Sequence, residues 1–154
     1  NYNKEITMAD QVPFPESLIP MLAAYVDAVH ANYKARATPA QLEAAKAEEA
    51  AAGADIAAFM ATMFAGIAED FAAADADGDG IMSEAESAVF TTKMIEREVA
   101  AGKFGEKRPT EDVEMYAICN GINSEREGYS LPEFSCFTGK LLEMWGAKAA
   151  AEQQ

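Results

Sequence analysis

The segment 75–86 carries oxygen-bearing side chains at a spacing that suits a hard divalent cation. Its sequence, DADGDGIMSEAE, has carboxylates at the first, third, fifth and twelfth positions and glycine at the sixth. Calcium takes about six to eight oxygen ligands at roughly 2.3–2.6 Å, so one loop supplies most of them only if its backbone wraps tightly around the ion. The pattern therefore predicts a calcium-binding loop whose ligands all lie in one short stretch of chain.

Each specified position in this segment has a chemical reason. Gly80 permits the sharp turn that a side chain would obstruct, after which the backbone carbonyl of Ile81 is expected to point inward. Ser83 is expected to hold a bridging water, and Glu86 to offer both carboxylate oxygens from the start of the next helix. The predicted calcium ligands are Asp75, Asp77, Asp79, Ile81, Ser83 and Glu86.

A magnesium site and a metal-free turn both fit the acidic segment less well than a calcium site does. Magnesium prefers compact octahedral geometry and keeps several waters, whereas a glutamate able to bind through both oxygens favours calcium. A solvated acidic turn between two helices would not require glycine and glutamate at these spacings. We therefore expect Ca²⁺ to be the ion that this protein binds.

With its flanking residues, the segment 71–90 resembles an EF-hand. Phe71 and Phe90 stand at the places where that family packs apolar residues beside the loop. The resemblance implies a helix on each side of the loop and the same set of calcium ligands. Because EF-hands usually occur in pairs, it also implies a second loop downstream.

The segment 122–133 matches the end of such a loop better than its beginning. Its eighth, ninth and twelfth positions carry an apolar residue, a hydroxyl and a carboxylate, as the pattern requires. Ile122, however, stands where the first carboxylate belongs, Arg126 stands where the fifth does, and the glycine comes one residue late. An arginine brings a positive charge toward a cation site, so metal binding is not expected here in the regular register.

An irregular register that uses Asn120 or Asn123 keeps a metal at the second loop open as an alternative. Without metal, the degenerate loop can still fold as a structural partner of the first one. In paired EF-hands the two loops touch through a short two-stranded contact, which is expected to set Met82 beside Tyr129. The resemblance then covers about residues 56–146.

The elements around the loops are predicted to be helices, because apolar residues recur at steps of three and four. Ser17 is the expected cap of the first helix, with Pro20 tolerated in its first turn. Thr38 and Gln41 form a capping box that starts the second helix. The apolar stripe of the first helix comprises Leu18, Leu22, Val26, Val29 and Tyr33.

Four further helices are expected, over about 56–71, 84–101 and 110–119, and from 131 onward. The third helix of the chain has the broadest apolar stripe and is therefore the best candidate for a core helix. The expected buried residues are Ile56, Phe59, Met60, Met63, Phe64, Ile67 and Phe71 in the third helix, Val89, Phe90, Met94 and Val99 in the fourth, and Phe134, Phe137, Leu141 and Trp145 in the last.

The predicted fold class is all-α, an EF-hand pair preceded by an N-terminal helical extension. We expect an N-terminal tail at 1–16, N-terminal helices at 17–55, the EF-hand pair at 56–146 and a C-terminal tail at 147–154. The C-terminal tail is expected to fray because it has no apolar anchor larger than alanine. A four-hand chain similar to calmodulin is not expected, because no loop of this kind precedes residue 56.

Composition narrows the classes of partner. The 154 residues include 26 acidic and 12 basic ones and give a formal net charge of -14, so nucleic acid and anionic membranes are unfavourable partners. No run of eighteen apolar residues occurs, so no direct membrane span is expected. Cations and basic peptides are the natural partners of such a chain.

The remaining candidates for chemistry do not form a catalytic set. His30 is the single histidine, and no nucleophile motif or phosphate-binding glycine loop accompanies it. Cys119 and Cys136 lack the histidine and cysteine neighbours of a zinc site, and we interpret both as reduced core thiols. We therefore do not expect an enzyme, and we expect an intracellular location, cytoplasmic or associated with the cytoskeleton.

Two functions are compatible with these patterns. The first is a calcium sensor or regulatory subunit, whose apolar groove accepts an amphipathic or basic helix from a protein partner. The alternative is a constitutive structural or adaptor subunit, in which calcium only stabilises the fold and the first helix of the same chain fills the groove. The anchors of that helix would be Leu18, Leu22, Val26 and Val29.

Overall fold

The chain is all-α in the computed structural model, which describes residues 13–54, 56–102, 106–123 and 125–152 without the side chains of residues 45, 48–64, 149 and 152. Six helices follow one another in these ranges: α1 (Ile19–Arg36), α2 (Pro39–Ala54), α3 (Ile56–Ala74), α4 (Glu84–Ala100), α5 (Glu111–Asn120) and α6 (Leu131–Glu152). The predicted all-α class is confirmed. None of the described helices has both the length and the apolar character needed to cross a membrane.

The start of α1 differs from the prediction. A single 3-10 turn, Glu16–Leu18, precedes the helix, and the Leu18 N–H donates to the Pro15 carbonyl at 3.1 Å. Ser17 lies inside this turn, so its predicted role as the helix cap is wrong. Pro20 does lie in the first turn of α1, where its missing N–H leaves no intrahelical hydrogen bond unmade.

The capping box at the start of α2 is confirmed. The Thr38 N–H donates to Gln41 Oε1 at 2.8 Å, and the Gln41 N–H donates to Thr38 Oγ1 at 3.2 Å. Pro39 follows as the first helical residue. The reciprocal bonds satisfy two N–H groups at the helix start, which is why this short motif sets the boundary so closely.

Aromatic side chains of α3, α4 and α6 meet in the core. The Phe71 and Phe90 rings are fully buried with centroids 5.8 Å apart, and the Phe90 ring lies 4.8 Å from that of Phe134. Edge-to-face contacts of this kind add about 0.5–1.5 kcal/mol to the free energy of burial. The predicted burial of these three rings and of Phe137 is confirmed. The side chains of Ile56, Phe59, Met60, Met63 and Phe64 lie outside the described part of α3.

The buried face of α4 differs from the one that its apolar residues predict. Val89 and Val99 are 48% and 57% exposed, so their predicted burial is wrong. Ser87 and Thr91 are buried instead. Ser87 Oγ shares a hydrogen bond of 2.9 Å with the Tyr129 hydroxyl, and Thr91 Oγ1 donates to the Ser87 carbonyl at 3.0 Å. These bonds offset the cost of removing the hydroxyls from water, so polar residues can occupy the core face.

The apolar face of α1 packs against α5 and α6. Leu22, Tyr25 and Val26 are buried, and the Tyr25 ring meets Phe137 of α6 edge-on with centroids 5.9 Å apart. The Tyr25 hydroxyl also donates to Glu111 of α5 at 3.4 Å. Full burial of one such apolar side chain contributes about 1.5–3 kcal/mol. These three residues pack in the same apolar cluster as residues of α5 and α6, so α1 belongs to the same core.

Further contacts of α1 extend along the whole helix. Leu18, just before α1, lies so close to Gly121 that a Cβ built on the glycine would be 3.1 Å from the leucine methyl carbons. Near the other end of the helix, the buried His30 ring meets Trp145 of α6 with centroids 5.1 Å apart. The packing of α1 therefore runs from the second loop to the C-terminal half of α6.

The last helix extends into the segment expected to fray. It continues through Glu152, and residues 153–154 lie outside the described chain. Lys148 Nζ of α6 donates to Asp27 Oδ1 of α1 at 2.9 Å. An exposed ion pair of this kind contributes about 0–1 kcal/mol. Most of the interaction energy between α1 and α6 therefore comes from their apolar contacts.

One antiparallel β-bridge joins the two loops at Met82 and Tyr129. The Met82 N–H donates to the Tyr129 carbonyl at 2.7 Å, and the Tyr129 N–H donates to the Met82 carbonyl at 3.2 Å. Both side chains are fully buried. The predicted contact between these two residues is confirmed, and it is an isolated bridge with no longer strand on either side within the described residues.

Gly128 lies where the bridge leaves no room for a side chain. Its φ is +116°, and a Cβ there would be 2.5 Å from Ile81 Cγ2 and 2.7 Å from the Met82 carbonyl oxygen. We therefore expect Gly128→Ala to lower the free energy of unfolding by about 1–3 kcal/mol from backbone strain alone, as measured by urea denaturation. Gly139→Ala is the control, because no atom beyond its chain neighbours and the adjacent backbone of α6 lies within 4 Å of its added Cβ and alanine is favoured in helices by about 0.5–1 kcal/mol. Equal losses from the two substitutions would contradict this expectation.

Candidate metal centre

The segment 75–83 forms a tight loop between α3 and α4, held by hydrogen bonds from its own backbone. The Gly80 N–H donates to Asp75 Oδ2 at 2.7 Å, the Asp79 N–H to Asp77 Oδ1 at 3.2 Å, and the Ile81 N–H to Asp79 Oδ1 at 2.9 Å. Gly80 has φ +79°, a region that glycine adopts without strain. This backbone conformation accounts for glycine at the sixth position of the loop.

Four carboxylates converge in this loop. One oxygen from each of Asp75, Asp77, Asp79 and Glu86 lies within 4.8 Å of the others. Asp75 is buried, Glu86 is half-buried, and the other two are exposed, so the cluster has a protein side and a water side. Such a group could hold a metal ion, which would offset the repulsion among four like charges.

The negative charges of the loop carboxylates repel one another, as expected at a site for a cation. The pKa of the Asp77 carboxyl is raised above its ordinary value. The backbone N–H of Asp79 has the largest single influence, and it lowers this pKa. Hydrogen bonds with the Asp75 and Asp79 carboxyl groups, partial desolvation and the charge of Asp79 all raise the pKa, and together they outweigh that effect. The neighbouring carboxylates therefore make an added negative charge unfavourable, and a bound cation would relieve this.

Glu86 connects the two ends of the loop. Its Oε2 accepts from the Ala76 N–H at 2.9 Å, and its Oε1 accepts from the Ser83 N–H at 3.0 Å. Ser83 Oγ accepts in turn from the Glu86 N–H at 3.3 Å, which completes a capping box at the start of α4. This box is absent from the predicted features, although a serine three residues before a glutamate is its usual signal. Glu86 thus orders the helix start through its own hydrogen bonds.

The structure brings together the four carboxylates among the six predicted ligands. The Ser83 side chain acts as the cap of α4, and its predicted bond to a bridging water stays a prediction. The predicted participation of the Ile81 carbonyl also stays a prediction. Both residues nevertheless lie on the loop directly beside the carboxylate cluster.

The second loop closes on Asn120 rather than on Ile122. Asn120 Oδ1 accepts from the Gly128 N–H at 2.7 Å. Ile122 is fully buried in the apolar core, and Arg126 is exposed. This closure resembles the irregular register that the sequence leaves open, because the side chain at the start of the loop is an amide that can offer an oxygen.

The two cysteines and the histidine lie in packed parts of the fold, away from the carboxylate cluster. Cys119 is buried and Cys136 is half-buried, and both are reduced thiols. Burial raises the pKa of both groups, which keeps the thiols protonated and weakly nucleophilic at neutral pH. His30 is buried between α1 and α6 against Trp145. None of these three residues belongs to the carboxylate cluster.

Comparison with protein-family models, with curated proteins and with solved structures gave no match. The assignment of this centre therefore depends on its own geometry. That geometry consists of four carboxylates from one loop, held by backbone N–H groups, that could together hold a metal ion.

Proposed function

We propose that this chain is a calcium-binding protein of the EF-hand type and that the loop 75–86 binds one Ca²⁺. The observation that carries the proposal is the convergence of four carboxylate oxygens within 4.8 Å. The preference for calcium over magnesium comes from the loop pattern, because Glu86 at its twelfth position can offer both carboxylate oxygens to a larger ion.

Repetition between the two loops supports the EF-hand type. In each loop a glutamate Oε1 accepts from a serine N–H three residues earlier, Ser83 to Glu86 at 3.0 Å and Ser130 to Glu133 at 3.3 Å. A helix begins at each of these motifs, and one bridge links the loops. A pair of helix–loop–helix units with one full set of ligands accounts for all of these features.

For the role of the ion, we propose that calcium stabilises a constitutive structural or adaptor subunit. The packing of α1 supports this role, because Leu22, Tyr25 and Val26 are already buried against α5 and α6. On the described faces of α5 and α6, α1 thus occupies apolar surface that a helix from another protein would need. Calcium would then raise stability without exposing a groove.

A calcium sensor is the second candidate, and the position of Glu86 favours it. This residue lies in the first turn of α4, and its Oε2 accepts from the N–H of Ala76, two residues after the end of α3. An ion that took both of its oxygens would pull α4 relative to α3. If this movement displaced α1, the exposed surface would accept an amphipathic or basic helix, which the net charge of -14 would attract.

Two measurements on the whole chain test these functions. Calorimetric titration is expected to show one tightly bound calcium per chain and weaker binding of magnesium, and a chain that retains no calcium at millimolar concentration would overturn the proposal.

Fluorescence of a hydrophobic dye then distinguishes the structural subunit from the sensor. We expect a higher Tm with unchanged dye fluorescence for the structural subunit, whereas a large calcium-dependent increase in fluorescence would establish the sensor.

A further inference from the structure

An ion pair between Asp70 and Arg97 joins α3 to α4, the two helices that flank the first loop. Arg97 Nη2 donates to Asp70 Oδ1 at 2.8 Å. Asp70 lies four residues before the end of α3, whereas Arg97 lies in the last turn of α4. The two helices are thus connected twice, by the loop at one end of α4 and by this ion pair at the other end.

The Asp70 carboxylate is buried, and Arg97 is its main charge partner. Asp70 is 8% exposed, and no hydrogen-bond donor among the described residues reaches its Oδ2. Burial has the largest influence on the pKa of this carboxyl and raises it above its ordinary value, whereas the neighbouring Arg97 charge lowers it. A buried carboxylate without its partner is unfavourable. Ionised Asp70 therefore favours an arrangement of α3 and α4 that keeps Arg97 within reach.

Gly66 leaves room on α3 for the guanidinium of Arg97. It lies four residues before Asp70, so the two positions share one face of the helix. A Cβ built on Gly66 would overlap Arg97 Nη1. Glycine destabilises a helix interior relative to alanine, and here it gives the arginine its space. Gly66 and Asp70 together form a seat on α3 for one side chain of α4.

Rotation of α4 relative to α3 would break this contact. Gly66 lies eight residues before the end of α3, which is about 12 Å along the helix at a rise of about 1.5 Å per residue. The helix pairs of calcium sensors open by about 40° when the ion binds. A rotation of about 40° at the loop would move Gly66 by about 8 Å relative to α4, and the ion pair could not follow this movement.

We propose that the Asp70–Arg97 pair is a clamp that fixes α3 relative to α4, so that calcium at the first loop stabilises the fold without opening it. The inference rests on the proposed function, because it concerns the response to an ion bound in that loop. Such an ion can open the helices only if its preference for the open arrangement exceeds the free energy needed to break the clamp. The clamp thus keeps the chain in the role of a structural subunit.

Residual dipolar couplings of the backbone amides of α3 and α4, measured by NMR on the whole chain, test the clamp. They give the angle between the two helices without and with calcium. Asp70→Asn removes the charge of the clamp and leaves no buried carboxylate unpaired. We expect calcium to open this variant by about 40° and to leave the native angle unchanged. Glu69→Gln is the matched control, because it removes an exposed acidic charge from the preceding residue, and its angle should also stay unchanged.

The Gly80 amide reports separately on calcium binding by the first loop. If it shifts with calcium while Asp70→Asn keeps the native angle, the clamp is overturned and the proposed function stands. Opening of the native chain, or equal opening of the Glu69 and Asp70 variants, also overturns the clamp. A Gly80 amide that does not respond overturns the proposed function and the clamp with it. Should Asp70→Asn not fold, Arg97→Gln breaks the pair from its half-exposed side and is expected to open in the same way.

Discussion

Glu86→Gln is expected to remove nearly all of the stabilisation that calcium gives the native chain. At a calcium concentration a hundredfold above the dissociation constant of the first loop, an ion bound only by the folded state adds about 2.7 kcal/mol to the free energy of unfolding. Glutamine keeps the oxygen that accepts from Ser83 N–H and therefore keeps the capping box. It removes the negative charge and the second carboxylate oxygen, so the ion loses its ligand from α4.

Thermal unfolding with and without calcium measures this effect. Glu84→Gln is the matched control, because Glu84 lies in the same first turn of α4 but outside the carboxylate cluster. The control should show the full calcium-dependent rise in Tm, and the Glu86 variant less than about a fifth of it. An unchanged rise in the Glu86 variant would refute the ligand assignment. An equal loss in both variants would mean that charge at the helix start, and not ligation, is responsible.

Leu22→Ala is expected to lower the free energy of unfolding by about 2–5 kcal/mol, the range for removing a fully buried leucine. The Leu22 side chain has no exposed surface and contributes to the core that α1 shares with α5 and α6. Urea denaturation measures the loss. Met21→Ala is the control, because Met21 precedes Leu22 on α1 but is 45% exposed, and its substitution should cost less than about 0.5–1 kcal/mol.

The same Leu22 substitution, measured with and without calcium, also distinguishes the two proposed roles. For the structural subunit α1 stays in place, so Leu22→Ala should cost the same amount in both conditions. For the sensor α1 leaves the core when calcium binds, so the cost should fall markedly with calcium. If Leu22→Ala cost no more than Met21→Ala in either condition, α1 would not be part of the folded core at all.

The first loop is predictable from sequence because its chemistry is local. The four carboxylates and Gly80 lie within twelve consecutive residues, so their spacing alone determines which side chains can meet. The contact of Met82 with Tyr129 is also predictable, but only through the resemblance to paired EF-hands, in which the two loops touch at equivalent positions. The capping box of Ser83 and Glu86 is local too, and its signal is present in the sequence.

Packing between distant elements is less predictable. The exposure of Val89 and Val99 depends on which face of α4 meets the core, and the hydrogen bond between Ser87 and Tyr129 helps to decide that face. The spacing of apolar residues in α4 does not predict which face is buried, because Tyr129, the hydrogen-bond partner of Ser87, lies in the second loop. The docking of α1 on α5 and α6 is a similar case, since the sequence shows an apolar stripe but not its neighbour.

The position of α1 has a consequence for synthesis. This helix leaves the ribosome before α5 and α6, and those two helices supply the surface that covers Leu22, Tyr25 and Val26. A nascent chain that ends before residue 131 therefore lacks α6 and leaves the apolar face of α1 only partly covered, which is the kind of species that aggregates or recruits chaperones. Full burial of α1 is thus tied to translation of α6.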